Sequence, residues 1–300
     1  MSRSYAYKTM SIDDFRADFK KQLAALYEPE EVENLCFLTL EHVLKMNRVE
    51  ISLSRKQNIH PSQRKELEEI TARLSKSEPM QYITGSSSFY GLDFQVNPAT
   101  LIPRPETEEL VAWIIDDVAQ GLLKEEAQDM LRLLDIGTGS GCIAITLAKN
   151  INKATVEAVD ISQNALATAY QNAKANGVKV DFYNQNILET QALDEVYNVI
   201  VSNPPYVREQ EKAMMRENVL SNEPDSALFV SDQDPLIFYR KIGELARKSL
   251  APSGALYFEI NEYLGRETVA LLKNIGFTDV VLRKDMFGKD RMIKACMALT

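Results

Sequence analysis

Histidine is almost missing from this chain: two residues, His42 and His60, in 300. Neither has a cysteine or histidine at ligand spacing, which argues against a metal centre. Cysteine is nearly as scarce. Cys36, Cys142 and Cys296 are odd in number and far apart, so they form neither a disulfide framework nor a metal motif. No run approaches the roughly 18 consecutive apolar residues that a membrane span needs. The N-terminal Met1-Ser-Arg-Ser-Tyr-Ala-Tyr-Lys8 has no apolar core of a signal peptide. A cytoplasmic protein without membrane attachment is expected.

Basic charge is also in deficit. The net charge is −9, and it is unevenly placed. Residues 1–84 carry 13 basic and 13 acidic side chains, leaving 21 of the 34 basic and 30 of the 43 acidic residues for the remainder. An acidic major part is a poor match to a polyanion, which counts against nucleic acid as substrate. Hydrophobic residues at 45% and charged residues at 26% are those of an ordinary globular chain, long enough for two domains.

Residues 11–76 read as helices. Ser11 followed by Asp14 is a cap, and Phe15, Phe19, Leu23 and Leu26 recur at helical spacing. Glu30–Met46 repeats the pattern, and Pro61–Leu74 gives a third helix with proline in its first turn. Pro79–Gly85 and Ser88–Val96 are short strand-like runs punctuated by glycine, read as a β-hairpin. Pro105 then opens a helix to about Gln120. From Leu131 strands and helices alternate: strands at 131–137, 155–160, 179–183, 197–203 and 255–260, helices at 142–150, 162–176, 235–250 and 265–274, and a final strand pair at 279–283 and 291–298. Such alternation implies a parallel sheet with helices on both faces. The expected organisation is a helical domain over 1–77, a hairpin linker over 78–105, and an α/β domain over 106–300. The helical domain reads equally well as a spacer or as a platform for a macromolecular substrate.

Glycine is sparse, 12 in 300, yet three stand at 137, 139 and 141, in Asp135-Ile-Gly-Thr-Gly-Ser-Gly141 at the end of the first strand. The dinucleotide fingerprint wants a sixth-position glycine, where this chain has Cys142. The G-x-G-x-G spacing lets backbone approach a flat, uncharged nucleoside moiety; alone it equally suits a structural turn or another nucleotide. Asp160 ends the second strand, where a carboxylate can accept both ribose hydroxyls, although Asp is also common before a helix. Past the third strand, Asn186 beside Ile187 offers a polar and an apolar contact for an adenine, or a solvent loop.

The stretch Tyr197–Tyr206 carries the most specific chemistry. Val199, Ile200 and Val201 suit a buried strand. Asn203-Pro204-Pro205-Tyr206 stops it, since neither proline can donate to a ladder. The result is a stiff loop at the carboxyl end of a strand, where open α/β sheets bind ligands. The Asn203 amide oxygen and the Pro204 carbonyl are two acceptors for the two hydrogens of a planar amino group, and Tyr206 can stack on its face. A proline-rich turn without function is the plain alternative.

The G-x-G-x-G loop, the acid ending the second strand and Asn-Pro-Pro-Tyr ending the fourth together resemble the class I, Rossmann-like S-adenosylmethionine-dependent methyltransferases that act on planar amino nitrogens. Phe89-Tyr-Gly-Leu-Asp-Phe-Gln-Val-Asn97 with Leu101-Ile-Pro-Arg-Pro-Glu-Thr-Glu108 is similar to the HemK/PrmC family of peptide chain release factor glutamine methyltransferases. The resemblance spans nearly the whole chain. It implies S-adenosylmethionine as cofactor and, as partner and substrate, class I release factors, methylated on the side-chain amide nitrogen of the Gln in their Gly-Gly-Gln loop. It implies that Gly137, Thr138, Gly139, Ser140 and Gly141 line the methionine and ribose part of the cofactor, that Asp160 holds the ribose, and that Ile187 lies at the adenine. It further implies that Asn203, Pro204, Pro205 and Tyr206 bind the glutamine amide, with Asn203 also near the cofactor, and that Arg104 and Thr107 close over the cofactor. Many members carry an acid and an aromatic where this chain has Asn186 and Ile187. A methyltransferase acting on adenine in nucleic acid shares Asn-Pro-Pro-Tyr and is the rival; a nicotinamide oxidoreductase or a non-catalytic module leaves that loop without a purpose.

Overall fold

The computed structural model describes residues 9–123 and 130–297. The N-terminal octapeptide read for a targeting signal and Ala298, the expected end of the last strand, lie outside the described residues. The chain divides into two compact units, Met1–Thr84 with Arg216–Asn222, and Gly85–Met215 with Glu223–Thr300.

The first unit is helical: α1 (Ile12–Leu23), α2 (Pro29–Leu44), α3 (Arg48–Leu53), α4 (Pro61–Leu74) and α5 (Met80–Thr84). Ser11 caps α1, its hydroxyl accepting the Asp14 amide while the Asp14 side chain returns to Ser11. Phe15, Phe19, Cys36, Leu40, Ile51 and Leu67 close one apolar core. Two elements depart from the sequence reading. The short α3 carries no apolar period; its start is an Asn47–Glu50 capping box, and Ile51 anchors it. Met80–Thr84 is a helix, not a strand. The Pro79 carbonyl accepts from Tyr82 and Ile83, and Met80 joins the helical core, so tertiary burial overrides the β-prone composition.

The second unit opens with a hairpin of β1 (Ser86–Phe89) and β2 (Leu92–Gln95), so the hairpin is shorter than expected and lies wholly after Gly85. There follow α6 (Pro105–Ala119), β3 (Leu131–Ile136), α7 (Cys142–Asn150), β4 (Ala154–Asp160), α8 (Gln163–Asn176), β5 (Asp181–Asn184) and β6 (Tyr197–Ser202). Between β6 and the next long helix the chain makes β7 (Val207–Arg208), a 3₁₀ turn (Glu209–Met214), α9 (Glu217–Leu220, part of the helical unit), α10 (Asp225–Leu228) and β8 (Phe229–Val230). The domain closes with α11 (Ile237–Ser249), β9 (Leu250–Glu259), α12 (Gly265–Ile275), β10 (Asp279–Lys284) and β11 (Asp290–Cys296).

The seven-stranded sheet runs β10-β11-β9-β6-β3-β4-β5. Its five strands from β9 to β5 are parallel; β11 is antiparallel to both β9 and β10. The sheet is therefore mixed, because the short turn between β10 and β11 leaves no room for a crossover helix. Successive residues of a strand point to opposite faces, and here both faces are apolar. Leu133, Val199 and Val201 pack with α6 and α7, whereas Leu134, Ile200 and Phe258 pack with α11 and α12. The chain leaves β3 toward β4 and β5, then returns to place β6 on the other side. That reversal opens a crevice at the carboxyl ends of β3 and β6.

Candidate active site

Three strand ends meet at this crevice. After β3, the chain turns through Gly137, Gly139 and Gly141, all at positive φ (77°, 56° and 83°), before α7 begins. At Gly137 and Gly139 a side chain would project into open space, whereas at Gly141 a Cβ would meet Ile145 Cδ1 at 2.7 Å and Ala169 Cβ at 3.1 Å. The first two glycines thus keep the cleft clear, and the third allows α7 and α8 to close on the loop. Beneath the loop, the buried Asp135 carboxylate accepts from the Thr138 hydroxyl at 2.6 Å and the Ala144 amide at 3.3 Å. Burial pushes its pKa up to about 7, against those two hydrogen bonds.

Asp160 ends β4 and is tied to the glycine loop. One carboxylate oxygen accepts the Gly139 N–H at 2.9 Å and the other the Ser162 N–H at 2.8 Å. Each oxygen keeps a further lone pair. From the other side the buried Asn172 of α8 donates to the Ser140 carbonyl at 2.8 Å and, through both ends of its amide, pairs with the backbone of Gln95 on β2.

The loop after β6 forms the opposite wall. Pro204 is buried, and Asn203 directs its amide nitrogen to the Thr107 hydroxyl at 3.3 Å. Thr107 donates to Glu259 at the end of β9 at 2.6 Å, and Tyr206 donates to the other Glu259 oxygen at 3.0 Å. Burial pushes the Glu259 carboxyl above its usual range, while the Thr107 hydrogen bond, the Arg291 charge and the Tyr206 hydroxyl pull it back. Burial likewise raises the Tyr206 phenol, reinforced by the Glu259 charge.

These walls enclose a cleft of about 410 Å³, within the range of small-molecule sites. Gly137, Thr138, Gly139, Ser140, Asp160, Ile187, Asn203, Pro204, Pro205, Arg104 and Thr107 all line it. Of the candidate residues, Gly141 sits in the helix-packing turn and Tyr206 points its hydroxyl at Glu259; neither is in the cleft wall. Arg104 reaches the cleft with its guanidinium paired to Glu223, whose second oxygen accepts the Ile102 N–H at 3.2 Å. Two acids escaped the sequence reading, Glu223 and Glu259. Glu259 left a signal: an acid ending a run of apolar residues in a strand expected to be buried.

S-adenosylmethionine fits this donor set. The open glycine positions accept a flat group at van der Waals distance, the free lone pairs of Asp160 suit ribose hydroxyls, and the buried Ser140 hydroxyl makes no hydrogen bond among the described residues. Asn186 and Ile187 both face the cleft, with the Asn186 side-chain oxygen Oδ1 engaged by the Leu188 N–H at 3.1 Å, so Ile187 offers the apolar surface there.

Comparison with known proteins agrees. Residues 14–85 match the PrmC N-terminal domain, and residues 113–230 the Methyltransferase small domain. A release factor glutamine methyltransferase of Flavobacterium psychrophilum is 49% identical over 285 residues, covering 95% of this chain and 99% of that protein. This chain belongs to the release factor glutamine methyltransferase family. A second member, from Bacteroides thetaiotaomicron, is 45% identical over 280 residues, 93% of this chain and 98% of that one. Among solved structures, the hMettl16 catalytic domain in complex with MAT2A 3'UTR hairpin 6 superposes with a TM-score of 0.51 at 18% identity, covering 70% of this chain and 77% of that one, which shows a shared fold. That fold is the class I, Rossmann-like one. Among the described residues no helix is long and apolar enough to cross a membrane.

Proposed function

We propose that this chain methylates the side-chain amide nitrogen of the glutamine in the Gly-Gly-Gln motif of class I peptide chain release factors, with S-adenosylmethionine as donor. The observation that carries the reading is a single cleft with the glycine loop and Asp160 on one wall and Asn203-Pro204-Pro205 on the other. The cofactor, when bound, would supply a methyl group activated by its sulfonium, the C–S bond breaking to leave a neutral thioether, so the protein need not activate the electrophile.

What the protein must supply is placement. An amide nitrogen is a poor nucleophile because its lone pair is delocalised into the carbonyl. The Asn203 amide oxygen and the Pro204 carbonyl accept the two hydrogens of the substrate NH2 and orient the nitrogen. Such orientation can be worth roughly 7–11 kcal/mol of a barrier. Both hydrogen bonds strengthen as positive charge develops on nitrogen, and the surplus proton leaves afterwards to water. Gly137, Thr138, Gly139, Ser140 and Asp160 hold the donor, with Ile187 at its apolar face and Arg104 and Thr107 lining the same cleft. Tyr206 acts from beside the cleft, fixing the loop through Glu259. The helical unit serves as the platform for the release factor. Free thiols at Cys36, Cys142 and Cys296 suit the reducing cytoplasm.

The test is transfer of labelled methyl from S-adenosylmethionine to an intact release factor, with DNA and RNA as parallel acceptors. Label in the release factor supports the reading. Label in nucleic acid, with binding that weakens steeply with salt, supports the rival and overturns it.

A further inference from the structure

The acid that ends β9 enters the account above only as the anchor of Tyr206, although it is 1% exposed and lies one residue past the pairing of Phe258 with Ser202 of β6. The four residues before it, Ala255, Leu256, Tyr257 and Phe258, are fully buried and apolar or aromatic. A carboxylate in such surroundings persists only where its lone pairs are satisfied. Among the described residues no ion pair involves Glu259. Arg291, whose charge is felt there, instead bonds Asp285 at 3.1 Å and the Ile260 carbonyl at 3.3 Å. Glu259 is held by two hydroxyls, Thr107 on Oε2 and Tyr206 on Oε1.

Those two bonds determine something about Asn203. A hydroxyl has one proton. The Thr107 proton is given to Glu259, so toward Asn203 the Thr107 oxygen can only accept. The Asn203 end that meets it must then be the NH2. The amide oxygen is left for the cleft that Asn203 lines. The same carboxylate anchors Tyr206, three residues on, so both ends of Asn-Pro-Pro-Tyr hang from one buried acid.

We propose that Glu259 is a positioning residue for the transfer, holding the Asn203 amide oxygen toward the substrate through Thr107 and tethering the far end of the loop through Tyr206. This rests on the reading of Asn203 as acceptor for the glutamine amide. Reversal of Asn203 would present a donor to a donor. Neutralising Glu259 forces such a reversal somewhere: a glutamine at 259 accepts one hydroxyl but donates to the other, which must then turn its own proton elsewhere.

The experiment uses the full chain with Thr107→Val, Thr107→Ser, Glu259→Gln and Tyr206→Phe. For each, kcat and KM for the release factor, the calorimetric Kd for S-adenosylmethionine and the melting temperature are measured. The Asn203 side-chain NH2 resonances, assigned with Asn203→Ala, supply a readout that needs no turnover. Thr107→Val is expected to lower kcat about 10- to 100-fold, the effect of one orienting hydrogen bond, beyond any rise in Kd; because it also strips a partner from buried Glu259 the melting temperature falls, and kcat is read well below it. Thr107→Ser, which keeps the hydroxyl, restores it. Glu259→Gln lowers kcat similarly and shifts the Asn203 NH2 resonances. It also removes an acid limb from the kcat profile, read against the other groups around this acid: Glu106 on α6, Tyr206, Tyr239 on α11 and Arg291 on β11. Unmoved Asn203 resonances in both Thr107→Val and Glu259→Gln overturn the proposal, as does loss of kcat only in step with cofactor binding or melting. A wild-type chain silent on release factors refutes the functional reading instead, and the resonances still decide the role of Glu259.

Discussion

One oxygen of the Asp160 carboxylate accepts the backbone N–H of Gly139 at 2.9 Å, joining the ends of two neighbouring strands across 21 residues of chain. Each of these residues is ambiguous in the sequence. Their contact makes the glycine loop and the acid one element.

Asp160→Ala should therefore weaken S-adenosylmethionine binding more than it slows transfer. Losing a charge-assisted hydrogen bond is worth about 1.5–3 kcal/mol, so Kd should rise by about 10- to 150-fold. At saturating cofactor kcat should stay within about fivefold, since the residue is on the wall opposite Asn203. Calorimetry beside steady-state kinetics checks the split; a large fall in kcat with unchanged Kd would contradict it.

Asn203→Ala should show the reverse pattern. Turnover should drop at least about 100-fold, as for removal of a transition-state hydrogen-bonding group, while cofactor Kd moves by no more than about threefold. A variant with normal turnover and lost cofactor binding would place Asn203 in the wrong role.

Two glycines of one loop should separate stability from affinity. Gly141→Ala drives a Cβ into Ile145 and Ala169 at φ +83°, and should cost about 2–5 kcal/mol in strain and overpacking. Gly137→Ala meets nothing within 4 Å at φ +77°, so about 1–2 kcal/mol of backbone strain is expected, with a clear loss of cofactor affinity because the methyl stands in the cleft. Denaturant unfolding and calorimetry on both variants test the contrast, and equal destabilisation by the two would refute it.

Asp135 should make stability depend on pH. Its folded pKa of about 7 lies above the usual 3.8. Between those values the folded chain keeps a proton that the unfolded chain has released, so stability is full below the lower value and is lost as pH rises through the higher. From pH 5 to pH 8 the wild type should lose roughly 2–3 kcal/mol relative to Asp135→Asn, which carries no proton to lose. Urea midpoints of both proteins at the two pH values give the number; a parallel response would show that Asp135 stays ionised in the fold.

Much of this was legible in the sequence, and unevenly so. The strands and helices from Leu131 onward were visible because a buried parallel sheet writes itself as apolar runs between helical periods, and Asn203-Pro204-Pro205 could only be a loop. Met80–Thr84 misled because five residues of β-prone composition carry no period, and burial of Met80 decides their form. The segment from Val207 to Val230 breaks into pieces of two to six residues, each held by contacts that no local pattern announces. Glu259 was hidden for a different reason. Its meaning lies in Thr107 and Tyr206, 152 and 53 residues away, which only the folded sheet brings to it.

The central claim is tested most directly by mass spectrometry of a class I release factor incubated with this protein and S-adenosylmethionine, beside a release factor with Asn in place of the Gly-Gly-Gln glutamine. One added methyl, placed by fragmentation on the side-chain nitrogen of that glutamine and missing from the Asn control, is the predicted result. A methyl on any other residue, or none while calorimetry shows the cofactor bound, would contradict the account.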